Sequence, residues 1–236
     1  MSIYVIGDLH LSFGQNKPMD IFGDNWINHT KKIKEDWLSK VKENDTVILA
    51  GDFSWAMKLK DTMLDFEYLK ELPGKKILLK GNHDYWWQTV TSMKRFLIKN
   101  DFHNIDFLYN NSFEIENKII CGTRAWSVSC EDAQADKKII NREVDRLKLS
   151  IEDGLSKYGD SKEIIAFLHY PPITLNNILK NQTTPFMQIL KQYNIKRCYY
   201  GHLHGSSIID AVNANIDGIE LKLISCDGVD FKLQEI

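Results

Sequence analysis

The sequence predicts an α/β fold in which a second, partly antiparallel sheet packs on the first, and three observations carry that prediction. Short apolar runs alternate with amphipathic stretches. Each run stops at a glycine or a polar residue, and further short strand-like segments cluster after Ile105 and again at the end of the chain.

The runs at 3–6, 46–50, 76–79, 119–122, 164–168 and 198–200 are too short for helices, and their continuous apolar character suits strands buried on both faces. Between them, 26–41, 59–72, 89–98 and 133–158 place apolar residues at three-to-four spacing, as amphipathic helices do. That alternation builds βαβ units. Segments 105–109, 113–115 and 119–121 then lie close together, with Glu116-Asn117-Lys118 as a hairpin turn, and 206–212, 219–224 and 229–233 repeat the pattern around Asn- and Gly-containing turns. No repeat, low-complexity tract or linker interrupts the chain, so 1–236 reads as one domain.

At 236 residues, with 43% hydrophobic and 26% charged residues, the composition is that of an ordinary globular protein. A net charge of -2 provides no basic footprint for nucleic acid. Cys121, Cys130, Cys198 and Cys226 form no CxxC pair and read as reduced thiols. The chain opens on a strand-like run, and no apolar stretch approaches the roughly 20 residues of a membrane helix, so a cytoplasmic protein with no membrane partner is expected.

Five of the seven histidines, His10, His83, His169, His202 and His204, follow apolar runs, where α/β folds place their ligand sites. The runs end in Gly7-Asp8-Leu9-His10, Gly51-Asp52, Gly81-Asn82-His83-Asp84, His169-Tyr170-Pro171-Pro172 and Gly201-His202-Leu203-His204. Strand alternation predicts that Asp8 and His10 point the same way, and the glycines are expected to let the backbone turn at the strand mouths. Singly, Asp8, Asp52 or Asn82 reads as a turn residue or N-cap, and a lone histidine as hydrogen-bonded packing. Five such groups in one cleft would be costly to bury without metal. Imidazole, carboxylate and amide donors without thiolate suit Mn, Fe, Zn or Co.

This ordered set resembles the calcineurin-like metallophosphoesterase superfamily, and the resemblance spans residues 8 to 204. It implies a four-layer α/β/β/α sandwich of two mixed sheets flanked by helices. It further implies two divalent or trivalent ions, one held by Asp8, His10, Asp52 and His204 and the other by Asp52, Asn82, His169 and His202, with Asp52 bridging. His83 matches the family's catalytic histidine, and Asp84 is its candidate orienter. Two such ions sharing a water would lower its pKa and clamp an in-line displacement at phosphorus on a small phosphate ester.

In the protein Ser/Thr phosphatase branch an Asp follows the Gly-Asp motif by three residues, whereas Trp55 stands there in Gly51-Asp52-Phe53-Ser54-Trp55, which argues against a protein phosphatase. Arg124 is a candidate for bidentate binding of a substrate phosphate, or else one half of a surface ion pair. Asn82 is assigned to the substrate as well as to the metal. Trp55, Trp86, Trp87 and Trp126 flank the motifs and serve either as an aromatic wall or as core. A nuclease and a non-catalytic metal-binding scaffold for a protein partner are the competing functions. His29 and the Lys31-Lys32-Ile33-Lys34 face read as structural and solvated.

Overall fold

The computed structural model describes residues 1–128 and 134–236, apart from the side chains of residues 134 and 135. Its elements run β1 (Ile3–Ile6), α1 (His29–Lys40), β2 (Thr46–Leu49), α2 (Met63–Lys70), β3 (Lys75–Leu79), α3 (Val90–Lys99), β4 (Ile105–Leu108), β5 (Phe113–Ile115), β6 (Lys118–Thr123), α4 (Gln134–Tyr158), β7 (Glu163–Leu168), α5 (Leu175–Leu179), α6 (Pro185–Gln192), β8 (Arg197–Tyr200), β9 (Ala214–Ile216), β10 (Ile219–Leu223) and β11 (Gln234–Glu235).

They form two mixed sheets, ordered β11-β1-β2-β3-β4 and β5-β6-β7-β8-β10-β9. In the first, β1 to β4 pair in parallel and β11 lies antiparallel against β1. In the second, β6, β7, β8 and β10 are parallel, with β5 and β9 as antiparallel edges.

Strand alternation explains why the runs are apolar throughout. Val5, Ile48, Ile77 and Leu108 meet Ile120, Ile165, Phe167 and Tyr199 between the sheets. Their neighbours Ile6, Val47, Leu49 and Leu78 face outward to Trp37, Phe66, Met93 and Leu97 of α1 to α3. On the other side Ala166, Leu168, Cys198 and Leu221 meet Leu147, Ile151, Phe186 and Leu190 of α4 and α6. The result is the α/β/β/α sandwich, and each fully buried Leu, Ile or Phe contributes about 1.5–3 kcal/mol of transfer free energy.

Four expectations need correction. Segment 206–212 is not a strand but a 3-10 turn, Gly205–Asp210, which Ser207 closes by bonding back to His204. Segment 229–233 is broken by the left-handed Asp230 and Phe231, and only Gln234–Glu235 beyond it extends a sheet. β4 belongs to the parallel first sheet, because Phe107 packs under the helices while Leu108 faces the second sheet. The helices expected at 26–41 and 59–72 begin at His29 and Met63, after short 3-10 turns over Asp24–Trp26 and Leu59–Thr62.

Cys121, Cys198 and Cys226 are free and buried, and Cys130 lies outside the described residues, as does the start of the segment expected to be helical from 133. Among the described residues no helix is long and apolar enough to cross a membrane.

Candidate metal centre

The loops after β1, β2, β3, β7 and β8 bring Asp8, His10, Asp52, Asn82, His169, His202 and His204 together at the carboxyl ends of the parallel strands, where open α/β sheets bind ligands. Asp8 and His10 are not consecutive same-face strand residues, contrary to expectation. β1 ends at Ile6, and Asp8 (φ 60°), His10 (φ 46°), Asp52 (φ 49°) and His202 (φ 74°) all adopt left-handed backbone. Such conformations cost of order 1–3 kcal/mol each and persist where the surroundings over-determine them. Here Asp8 N donates to Gly51 O at 2.9 Å and His10 N to Asp52 O at 3.0 Å, so the first two loops hold each other.

The glycines also act differently than expected. Gly51 does occupy φ 93°, but Gly81 and Gly201 do not need a turn conformation. They provide room instead, since a methyl group at Gly81 would strike the Asp52 carboxylate and one at Gly201 that of Asp8.

The donor atoms form two overlapping groups. Asp8 Oδ1 lies 3.3 Å from His204 Nε2, which in turn lies 3.3 Å from His10 Nε2. Asp52 Oδ2 lies 3.5 Å from His169 Nε2 and 3.8 Å from His10 Nε2. Asn82 Oδ1 lies 2.7 Å from His169 Nε2 and 2.9 Å from His202 Nδ1. Two outward bonds settle which nitrogens face inward. His169 Nδ1–H donates to Ala50 O at 3.0 Å and His204 Nδ1–H to Asp227 Oδ1 at 2.7 Å, so both Nε2 atoms face the centre.

The electrostatics fit a cation. Asp8 and Asp52 are almost wholly buried. Burial and the Asp8 charge push Asp52 well above the ordinary carboxylate range, while Asp8, also raised by burial, is brought below it by His204, His169 and His10. Burial and His169 lower His202 to about 3, so its ring is neutral and free to donate a lone pair. Against the effect of burial, Asp8 and Asp227 instead raise His204 to about 10, so a cation bound there would displace its Nε2 proton. Two buried carboxylates facing imidazoles fit the mixed N/O set of a dinuclear divalent site.

His83 hangs over this cluster with its ring 4.4 Å from Trp55 and 5.8 Å from His10, and its backbone N–H donates to Asp52 Oδ1 at 2.8 Å. Trp55 also stacks on His10 at 4.7 Å, so the indole standing in the phosphatase Asp position braces both imidazoles by contact rather than by charge. Asp84 is committed elsewhere. It accepts from Phe53 N at 3.0 Å, Gly81 N at 2.7 Å and Trp86 Nε1 at 2.9 Å, so it ties the loops after β2 and β3 together rather than holding the His83 ring.

Arg124 lies over Trp126, 4.6 Å from the ring centre, with its Nη2 3.5 Å from the buried Glu143. Trp86 and Trp87 belong to the core, whereas Trp126 packs on Tyr170, itself 4.0 Å from the His202 ring. His29 is packed between Trp26 and Phe231.

Several neighbours escaped the sequence reading. Asp227, four residues beyond the end of β10, is one of them, and no histidine or glycine-first motif marks it. Met19, Phe22 and Trp26, with Trp55, wall a cavity of about 330 Å3 whose other lining includes His10, His83 and His204. No local motif marks these three.

A model of the calcineurin-like phosphoesterase family matches residues 1–206. No curated protein sequence matches the chain. Among solved structures, a protein of Thermus thermophilus is similar with TM-score 0.58 and 12% identity over 100% of this chain and 97% of that one. The phosphopantetheinyl hydrolase of Mycobacterium tuberculosis has TM-score 0.54 and 13% identity over 100% and 95%. A protein of unknown function from Aquifex aeolicus has TM-score 0.50 and 20% identity over 99% and 95%. At these identities the likeness concerns the fold.

Proposed function

Because this chain belongs to the calcineurin-like phosphoesterase family and is therefore a metal-dependent phosphoesterase, we propose that it hydrolyses a phosphomonoester or phosphodiester bond of a small substrate at a two-metal centre. The observation that carries this is the convergence of seven N and O donors from five strand ends, with imidazoles facing buried carboxylates.

Asp8, His10, Asp52 and His204 would hold one ion and Asp52, Asn82, His169 and His202 the other, from among Mn, Fe, Zn and Co. Two ions there would supply Lewis acidity and a water acidic enough to attack phosphorus at neutral pH. His83 lines the cavity and is the candidate proton donor to the leaving oxygen. Burial, then His169 and Lys17, lower its pKa to about 4, and an anionic ester beside it would raise it again. The apolar wall of Met19, Phe22, Trp26 and Trp55 suits a small substrate with an apolar or aromatic portion. The free cysteines favour the cytoplasm as its location.

The test is hydrolysis of an aryl phosphomonoester and an aryl phosphodiester by chelator-stripped protein, with Mn, Fe, Zn or Co restored separately. Turnover that returns with metal and is lost in Asp52→Asn and His83→Ala supports the proposal. Two bound ions without turnover on either ester would favour the scaffold reading.

A further inference from the structure

Beside the centre, three guanidinium groups gather around one carboxylate. Glu143 on α4 is fully buried, and its Oε2 accepts from Thr123 Oγ1–H at 2.7 Å. Its Oε1 accepts from Arg146 Nη1 at 2.7 Å and lies 3.5 Å from Arg124 Nη2 and 3.6 Å from Arg142 Nε.

Among the described residues, the ion pairs of these three arginines all run to Glu143. A structural network would balance its charges. Here Thr123 and Arg146 already satisfy Glu143 at 2.7 Å, and Arg124 and Arg142 stand 3.5–3.6 Å off. Among the described residues, the buried Arg124 Nε meets no acceptor. Like charges gathered in a partly desolvated place repel one another, and an anion offering several oxygens to forked donors removes the penalty.

The group adjoins the centre through packed rings. Arg124 lies over Trp126, Trp126 lies 5.3 Å from Tyr170, and Tyr170 lies 4.0 Å from His202. Tyr170 N also donates to Arg124 O at 3.0 Å. An anion here would lie on the His202 and Asn82 side, away from the apolar cavity over His10 and His83.

We propose that Arg124, Arg142 and Arg146 form an anion subsite for a second phosphate of the substrate, on the part of the molecule that is not transferred. The enzyme thus prefers esters carrying two phosphate groups over those carrying one. This rests on the metal-centre reading above.

The experiment is calorimetric titration of the metal-loaded full chain with adenosine 5′-monophosphate and adenosine 3′,5′-bisphosphate at one ionic strength. It is repeated with Arg142→Gln and the double variant Arg142→Gln/Arg146→Gln. Arg142 is 54% exposed, so its replacement spares the packing. The bisphosphate is expected to bind about tenfold more tightly or better, and the double variant to reduce that ratio below about threefold. Equal affinities in the unaltered protein, absence of binding by both ligands, or a preference that survives both variants would overturn the proposal. Aryl-ester turnover measured in parallel keeps the two readings apart. An active enzyme without the preference fails only the subsite, and an inactive protein with it fails only the metal-centre reading.

Discussion

His204 donates its Nδ1–H to Asp227 Oδ1 at 2.7 Å, and the other Asp227 oxygen accepts from Gly205 N at 2.9 Å. One carboxylate therefore sets both the tautomer of the imidazole and the path of the loop that presents it. Asp227→Ala is expected to lower metal affinity about 10- to 100-fold, the usual penalty for losing such an outer partner. Metal competition against a chelating dye measures it, and unchanged affinity would show that loop packing alone orients the ring.

Trp55 braces His83 at 4.4 Å and His10 at 4.7 Å. Trp55→Ala frees the His83 ring and is expected to reduce kcat about 10- to 100-fold, a size typical of misplaced catalytic groups. Trp55→Phe keeps an aromatic face and restores most of the loss. If the phenylalanine variant were as impaired as the alanine one, bracing by contact would be the wrong account.

Gly201 leaves space for the Asp8 carboxylate, which a methyl group would strike. Gly201→Ala is expected to displace Asp8, lower the metal content from two ions toward one, and cost about 1–3 kcal/mol of stability through overpacking. Elemental analysis of the purified variant, with a thermal melt, reads both effects. Retention of two ions per chain would contradict it.

Asp65 is buried under the loop after β1, where it accepts the Ser54 hydroxyl and, at 3.0 Å, the backbone N–H of Phe13. Burial raises its pKa to about 6, against about 3.9 for the same group in an unfolded chain. The folded state therefore holds a proton that the unfolded state releases. The contribution is fully present below about pH 4 and lost as pH rises through about 6, a decline on the order of 2–3 kcal/mol. Asp65→Asn is expected to flatten that part of the stability profile. Urea melts of both proteins at pH 4, 5, 6 and 7 would show the difference, and parallel profiles would refute it.

The layered fold was legible because strands buried on both faces read as continuous apolar runs whose residues serve two cores at once, as Val5 and Ile6 do. Sheet membership was less so. β4 and β5 are neighbours in the chain, yet one closes the first sheet in parallel and the other edges the second antiparallel, a choice made by packing rather than by local propensity. The ends of segments 206–212 and 229–233 were misread because Gly205, Asp230 and Phe231 take left-handed backbone that apolar content does not signal.

By itself the sequence determined the chemical inventory of the site, because histidines, carboxylates and an amide at the ends of apolar runs are too costly to bury for packing alone. It determined in the same way that both sheets would be largely hidden. Only the tertiary structure decided how those groups are aimed. The bonds that hold the left-handed Asp8 and His10 against the Asp52 loop, the loop clamp of Asp84, the Asp227 partner of His204 and the approach of Arg124 to Glu143 all join separate segments of the chain. Orientation depends on which loops touch, and that follows from how two sheets and their helices close on one another rather than from any local run of residues.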